Sequence, residues 1–306
     1  MRRILTTQTG QTQLRGFTLV ELLVVITIIG ILATIGVQVS AALSTKARVH
    51  ATNVTLSKID TVLRERYEAI TQSVPKKLTG YGKVHYVKNA LIRYMPQVEE
   101  DFTSGLPNLG YYSTTEKTLL NVDPFSNTGV GTLPGMDPAE LLYEMVTQKT
   151  PFGTTKFKFA NKTVQEFSGS EIGDLDGDGK FEILDGWGTP IRFYRWPTRL
   201  LKPAGSAVNG LVIVVAGRKM TPAELNVDPL DPYGLDFTEN IYSTRNSFSR
   251  PMAISAGPDR NFGLADYSVN DSATPIRGHL ASPADLSDYG PIYDNLTSLA
   301  AKLVNQ

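Results

Sequence analysis

Between Phe17 and Val39 the chain reads FTLVELLVVITIIGILATIGVQV, 23 residues with one ionisable side chain, Glu21. A run this long and this apolar leaves few folding options. As a helix it spans about 34 Å at 1.5 Å per residue, enough for a hydrocarbon core of about 30 Å. The residues before it, Met1 to Gly16, are polar, carry Arg2, Arg3 and Arg15, and include no acidic residue. Basic residues ahead of a span hold that end in the cytoplasm, so the rest of the chain is expected to be exported.

Two details separate this segment from a plain anchor. Glu21 is a carboxylate inside an otherwise uncharged span, and a charge at the centre of a membrane helix costs about 2.5–3.5 kcal/mol on insertion scales. Such a group needs a partner or a purpose. The second detail is Gly16-Phe17, where a small residue meets an aromatic as the polar leader turns apolar. An ordinary signal peptide is cut after its apolar region, and Val39-Ser40-Ala41 is the competing site of that kind.

RGFTLVELLVVITIIGILA, Arg15 to Ala33, resembles the N-terminal motif of type IV prepilins and type II secretion pseudopilins. The resemblance implies that a prepilin peptidase cuts between Gly16 and Phe17 and methylates the new N-terminus. It also implies that Glu21, fifth in the mature chain, pairs with the N-terminal ammonium of a neighbouring subunit during filament assembly. A buried carboxylate is tolerable when an opposite charge neutralises it. Homologous subunits and an inner-membrane assembly platform are the further partners implied.

The helix is expected to run on. Leu56, Ile59, Leu63 and Ile70 form an amphipathic stripe, Lys58, Arg64, Glu65 and Glu68 fall mainly off it, and Pro75 ends it. From Ser73 to Thr150 periodicity is lost, apart from a short helical candidate at Pro138 to Val146. Strand candidates follow at Ile191 to Trp196, Leu211 to Ala216 and Met252 to Ala256, the middle one apolar throughout, as a strand under the stem helix would be. NLTSLAAKLVNQ at the C-terminus reads as a short amphipathic helix.

Two acidic loops stand out. In GDLDGDGKFEILDG, Asp174, Asp176 and Asp178 alternate, Gly179 follows, and Asp185 stands twelfth, matching a calcium loop. Lys180 would offer its backbone carbonyl and Glu182 its carboxylate. Gly186, Gly188 and Pro190 forbid a long exit helix, so an EF-hand is not expected; the rival reading is a solvated acidic turn. The segment DGWGTPIRFYR resembles the approach to the sheet in major pseudopilins, with Trp187 as a packing anchor. SAGPDRNFGLADYS resembles the loop that binds calcium in that family, which implies ligand roles for Asp259 and Asp266. Arg260 departs from the family there, standing where glycine is usual. Asp228, Asp231 and Asp236 read as a solvated loop.

The chain has 306 residues, Lys+Arg 30 against Asp+Glu 30, and no cysteine. Zero net charge argues against a nucleic-acid binder, and without cysteine there is no disulfide or thiolate site. His50, His85 and His279 are far apart and lack metal-ligand spacing. Ser73-Val-Pro-Lys76 formally matches S-x-x-K, but Pro75 breaks the helix that motif needs. No enzyme is expected. The sequence predicts an α+β, pilin-like fold, a long N-terminal helix packed on a small antiparallel sheet with calcium loops and a large insertion. The segments are a leader at 1–16, a transmembrane helix at 17–40, its amphipathic continuation at 41–74, an insertion at 75–150, the head at 151–270 and a tail at 271–306. The function expected is a structural subunit of a type II secretion pseudopilus or type IV pilus-like filament, anchored once in the inner membrane with its head exported. The rival is a membrane-anchored, exported, calcium-dependent binding or adhesion protein.

Overall fold

The computed structural model describes residues 17–98, 101, 136–148, 166–197, 200, 211–215, 218–219, 251–266, 281, 284, 292, 294–298 and 302–305. Helix α1 covers Leu19–Gln72, 54 residues without proline. It stops where Pro75 bars its predecessor from helical geometry. The chain divides into two compact units, residues 1–47 and residues 48–306. In the first, every large apolar side chain from Phe17 to Leu43 is exposed, and the helix is long and apolar enough to cross a membrane. A helix apolar on all sides is stable only when something covers it.

In the second unit α1 shows one apolar face, and that face is covered. Leu56, Ile59, Leu63 and Ile70 are fully buried in a core with Ile183, Ile191, Phe193 and Ala253. Burying an aliphatic side chain of this size is worth roughly 1.5–3 kcal/mol. Helix α2, Gly80–Tyr94, adds Val87, Leu91 and Tyr94 to the same core, and helix α3, Pro138–Thr147, adds Leu141, Leu142 and Met145. The aperiodic reading of residues after Ser73 therefore misses α2, which belongs to the core of the head. Helix α3 coincides with the expected segment. Asp137 is its N-cap, Pro138 opens it, and Asp137 and Glu140 close a capping box, the arrangement that satisfies two orphan amides at once.

Among the described residues the strands form three small antiparallel sheets, consistent with the α+β class, where a single sheet was expected. β1 (Ile172–Gly173) pairs with β2 (Glu182–Ile183), placing the first acidic loop at the tip of a hairpin. β3 (Arg192–Tyr194), β6 (Met252–Ser255) and β7 (Leu296–Thr297) form the second, with β6 central. β4 (Leu211–Val215) lies between β5 (Arg218–Lys219) and β8 (Lys302–Asn305) in the third. All three strand candidates are strands, and β6 contributes Ala253 to the core with the stem. The C-terminal segment is corrected from helix to strand. Leu296 pairs with Ser255 and Val304 with Val212, so the sheets supply backbone partners that override helical spacing.

Polar residues of α1 lock the head to the stem. Thr52 Oγ1 accepts the Gly186 N–H at 2.8 Å, and Lys58 Nζ donates to both Glu171 oxygens at 2.9 and 2.8 Å. Arg66, fully buried, donates to the carbonyls of Met145 and Gln148 at the end of α3. Burial pushes its guanidinium down to about 9, the direction expected when a cation loses its water.

Candidate functional site

At the N-terminus, Gly16 lies outside the described residues and Phe17 is exposed. Glu21, expected inside the span, stands in the first turn of α1. Its Oε2 accepts the Thr18 N–H and the Thr18 hydroxyl, both at 2.8 Å, while Thr18 Oγ1 accepts the Glu21 N–H at 3.2 Å. This is a capping box, in which a carboxylate sits at the positive end of the helix dipole. Residues 14–37 match the prokaryotic N-terminal methylation motif. The N-terminus is of the prepilin type. No curated protein and no solved structure matches the chain. The prepilin-type motif supports the type IV prepilin and pseudopilin family, and implies processing by prepilin peptidase and assembly with pilin subunits. With the apolar helix, it marks a single-pass membrane anchor.

The first acidic loop joins β1 to β2. Asp174 accepts the N–H groups of Gly177 at 2.7 Å and Gly179 at 3.1 Å, and Asp176 accepts that of Asp178 at 3.2 Å. Asp178 accepts the Lys180 N–H at 2.8 Å and pairs with the Lys180 ammonium, which holds its carboxyl below the usual range. Gly177 and Gly179 have φ of 80° and 89°, backbone that glycine tolerates best. Asp185, the twelfth residue, is turned away from these groups. Its Oδ1 accepts the Trp187 and Thr189 N–H groups, both at 2.9 Å, and its Oδ2 accepts the Ser255 hydroxyl at 2.7 Å. Asp185 is buried and anchors the turn that leads into the sheet. Trp187 is buried as well.

What meets the loop instead is the start of α3. Asp137, Glu140 and Glu182 each bring one carboxylate oxygen within 4.8 Å of the others, and so do Glu140, Asp176 and Asp178. Burial pushes Glu140 up, and Glu182 too, where the charges of Asp137, Asp176 and Glu140 add to it. Lys180 Nζ stands 3.6 Å from Glu140 Oε2. Asp137 and Glu140 escaped the sequence reading because they lie far upstream of the loop, although the D-P-A-E capping pattern marks them as neighbours of each other.

The second acidic loop follows β6. Asp259 Oδ1 accepts the Asn261 N–H at 2.8 Å, and Arg260 has φ of 59°, so the residue in the position usual for glycine adopts a glycine-like conformation. Asp266 is exposed and pairs with Arg192 at 3.0 Å. The acidic neighbour of Asp259 is Asp294, missed from sequence, whose Oδ2 accepts the Asp259 N–H at 3.4 Å. Burial and the Asp259 charge push the Asp294 carboxyl up. The buried oxygens Asp294 Oδ1 and Asn295 Oδ1 have no hydrogen-bond partner among the described residues, while Asn295 Nδ2 donates to the Phe262 carbonyl at 2.8 Å. Two idle buried acceptors are costly unless something electropositive meets them. Asp228, Asp231, Asp236 and His279 lie outside the described residues.

Proposed function

We propose that the chain is a structural subunit of a type II secretion pseudopilus or a type IV pilus-like filament, cut after Gly16 so that the mature chain starts at Phe17, and assembled through helix α1. One observation carries the reading: a methylation motif covers the start of a segment whose large apolar side chains from Phe17 to Leu43 are all exposed, with Glu21 the one carboxylate among them. Such a surface is covered either by lipid or by other stems, and a filament exchanges the first cover for the second. Glu21, held by Thr18 in the isolated chain, would exchange that contact for the ammonium of a neighbouring Phe17. The head would face away from the cytoplasm, and calcium would close its second loop through Asp259, Asp294 and Asn295. The idle oxygens of Asp294 and Asn295 support that assignment, since carboxylate and amide oxygens are what a hard cation takes.

Intact-mass analysis of the membrane-purified protein tests the reading. The expected mature chain starts at methylated Phe17. A retained leader, or a chain starting at Ala42, would overturn it. Glu21→Ala should abolish filaments while the protein still reaches the membrane. Filaments of normal yield from that variant would favour the monomeric, anchored binding protein instead.

A further inference from the structure

We propose that residues 294–298 form a calcium-controlled latch: they hold β7 against β6 while the second loop binds calcium, and lift away without it while the rest of the head stays folded. The latch rests on the calcium assignment of that loop and adds which part of the fold answers to the ion.

Asp259 and Asp294 stand 35 residues apart in the chain, yet Asp294 Oδ2 accepts the Asp259 N–H at 3.4 Å, a long bond. Asn295 Nδ2 donates to the Phe262 carbonyl at 2.8 Å. A Cβ on Gly257 would lie 2.4 Å from the Asp294 carbonyl oxygen, so segment and loop meet backbone against backbone. The segment brings to this contact a surplus of acceptors. Asp294 Oδ1 and Asn295 Oδ1 are buried without a hydrogen-bond partner among the described residues, and Asn295 is 5 % exposed. Asp259 adds a second carboxylate beside that of Asp294. Idle buried acceptors and like charges both oppose docking until a cation meets them.

The loop has other ties, and the segment has few. Arg192 on β3 donates to Asp266 at 3.0 Å, and its guanidinium lies 4.3 Å from the centre of the Phe262 ring. Ser255 Oγ accepts the Gly257 N–H at 3.1 Å, and Leu264 and Ala265 are buried. These contacts hold the loop without residues 294–298. The segment depends on β7, a two-residue edge strand that pairs Leu296 with Ser255 and Thr297 with Ile254. Beyond it the Ser298 N–H donates to the Ala253 carbonyl at 2.8 Å, and Ser298 Oγ accepts the Ala253 N–H at 3.1 Å. Leu296 is half-buried against the core. On its other side β6 pairs with β3 over three residues. Short edge strands open before the centre of a sheet does, so loss of the cation frees the segment and leaves β3 and β6 paired. The lifted segment uncovers one edge of β6 and its backbone groups.

The test is hydrogen exchange, read by mass spectrometry, on the full membrane-purified chain in detergent micelles. One sample holds chelator, the other calcium chloride at ten times the Kd found by calorimetry. With chelator, the amides of residues 294–298 should exchange at least about tenfold faster than those of β3, at a rate that low urea leaves unchanged, as in a local opening. With calcium their exchange should slow about elevenfold, the factor for a ligand at ten times its Kd that binds only the closed form. Calcium that binds without slowing this exchange would overturn the latch and leave the site standing. Equal rates for residues 294–298 and β3 in both samples would overturn it too, since the segment would then open only with the whole head. A chain that binds no calcium would overturn the assignment of the loop and the latch with it. Because the chain has no cysteine, Thr297→Cys gives a second measure at a buried position of β7. Its thiol should be alkylated about tenfold faster in chelator than in calcium, and equal rates would again overturn the latch.

Discussion

The Asp185 carboxylate meets the Ser255 hydroxyl at 2.7 Å in the buried interior, and Ser255 Oγ in turn accepts the Gly257 N–H at 3.1 Å. Through the Ser255 hydroxyl this carboxylate thus links the turn after β2 to Gly257 in the second acidic loop. Asp185→Ala would leave the Trp187 and Thr189 amides and the Ser255 hydroxyl without their acceptor, costing about 3–5 kcal/mol. Ser255→Ala removes one bond and should cost about 1–2 kcal/mol. Because the two groups share a bond, the double variant should cost less than the sum of the singles. Urea melts of all four proteins measure this, and strict additivity would disprove the coupling.

Gly186 is required for contact, not for turn geometry. A Cβ there would lie 2.5 Å from the Arg48 carbonyl and 3.0 Å from Thr52 Oγ1, on helix backbone that cannot give way. Gly186→Ala should therefore lift the turn off α1, break the bond from its N–H to Thr52, and cost about 3 kcal/mol. Gly169→Ala, which meets nothing within 4 Å, is the control and should stay within about 0.5 kcal/mol of the native chain. Equal melting temperatures for the two variants would refute the close approach.

The features legible in the sequence are those written in one dimension. The apolar run from Phe17 and the stripe Leu56, Ile59, Leu63, Ile70 follow from length and period alone, and both stand in the structure. Helix α2 left the same kind of trace, Val84, Val87, Leu91 and Tyr94 at spacings of three, four and three, but Gly80, Gly82 and neighbouring tyrosines obscured it. The C-terminal segment misled because strand pairing with β6 and β4 is a tertiary fact. The first acidic loop shows the same limit. Spacing nominated Asp185, yet two backbone amides and a serine from β6 claim its side chain, and the carboxylates that do meet the loop come from α3.

The second loop predicts a calcium response. With Asp294 Oδ1 and Asn295 Oδ1 idle and buried, a cation that binds only the folded chain at tenfold its Kd adds RT ln 11, about 1.4 kcal/mol. Melts with millimolar calcium and then with chelator should differ by a few degrees, and Asp259→Asn with Asp294→Asn should remove most of that difference. Asp266→Asn should keep it, since Asp266 is exposed and held by Arg192. A full calcium response in the double variant would place the effect elsewhere.

The last expectation concerns pH and the clamp between Lys58 and Glu171. Burial would raise the Glu171 carboxyl, but the Lys58 ammonium, the Thr55 hydroxyl and the Ser168 N–H together hold it below its ordinary 4.5. A carboxyl lowered on folding contributes stability that is complete above the unfolded pKa and fades as pH falls through the folded one. Glu140 and Glu182 act in the opposite sense. Their carboxyls are raised, so their contribution is complete below about 4.5 and is lost as pH rises. Subtracting the Glu171→Gln melting curve from the native one isolates the clamp from those two. The difference should be about 1–2 kcal/mol near neutral pH, given a pair that is mostly but not wholly buried, and should shrink towards zero below about pH 4. Lys58→Met removes the cation and leaves a half-satisfied buried carboxylate, so in that background Glu171→Gln should cost nothing or stabilise. A native-minus-variant difference that stays flat from pH 7 to pH 3 would mean that Glu171 carries no charge in the clamp, and that its hydrogen bonds alone hold the stem to the head.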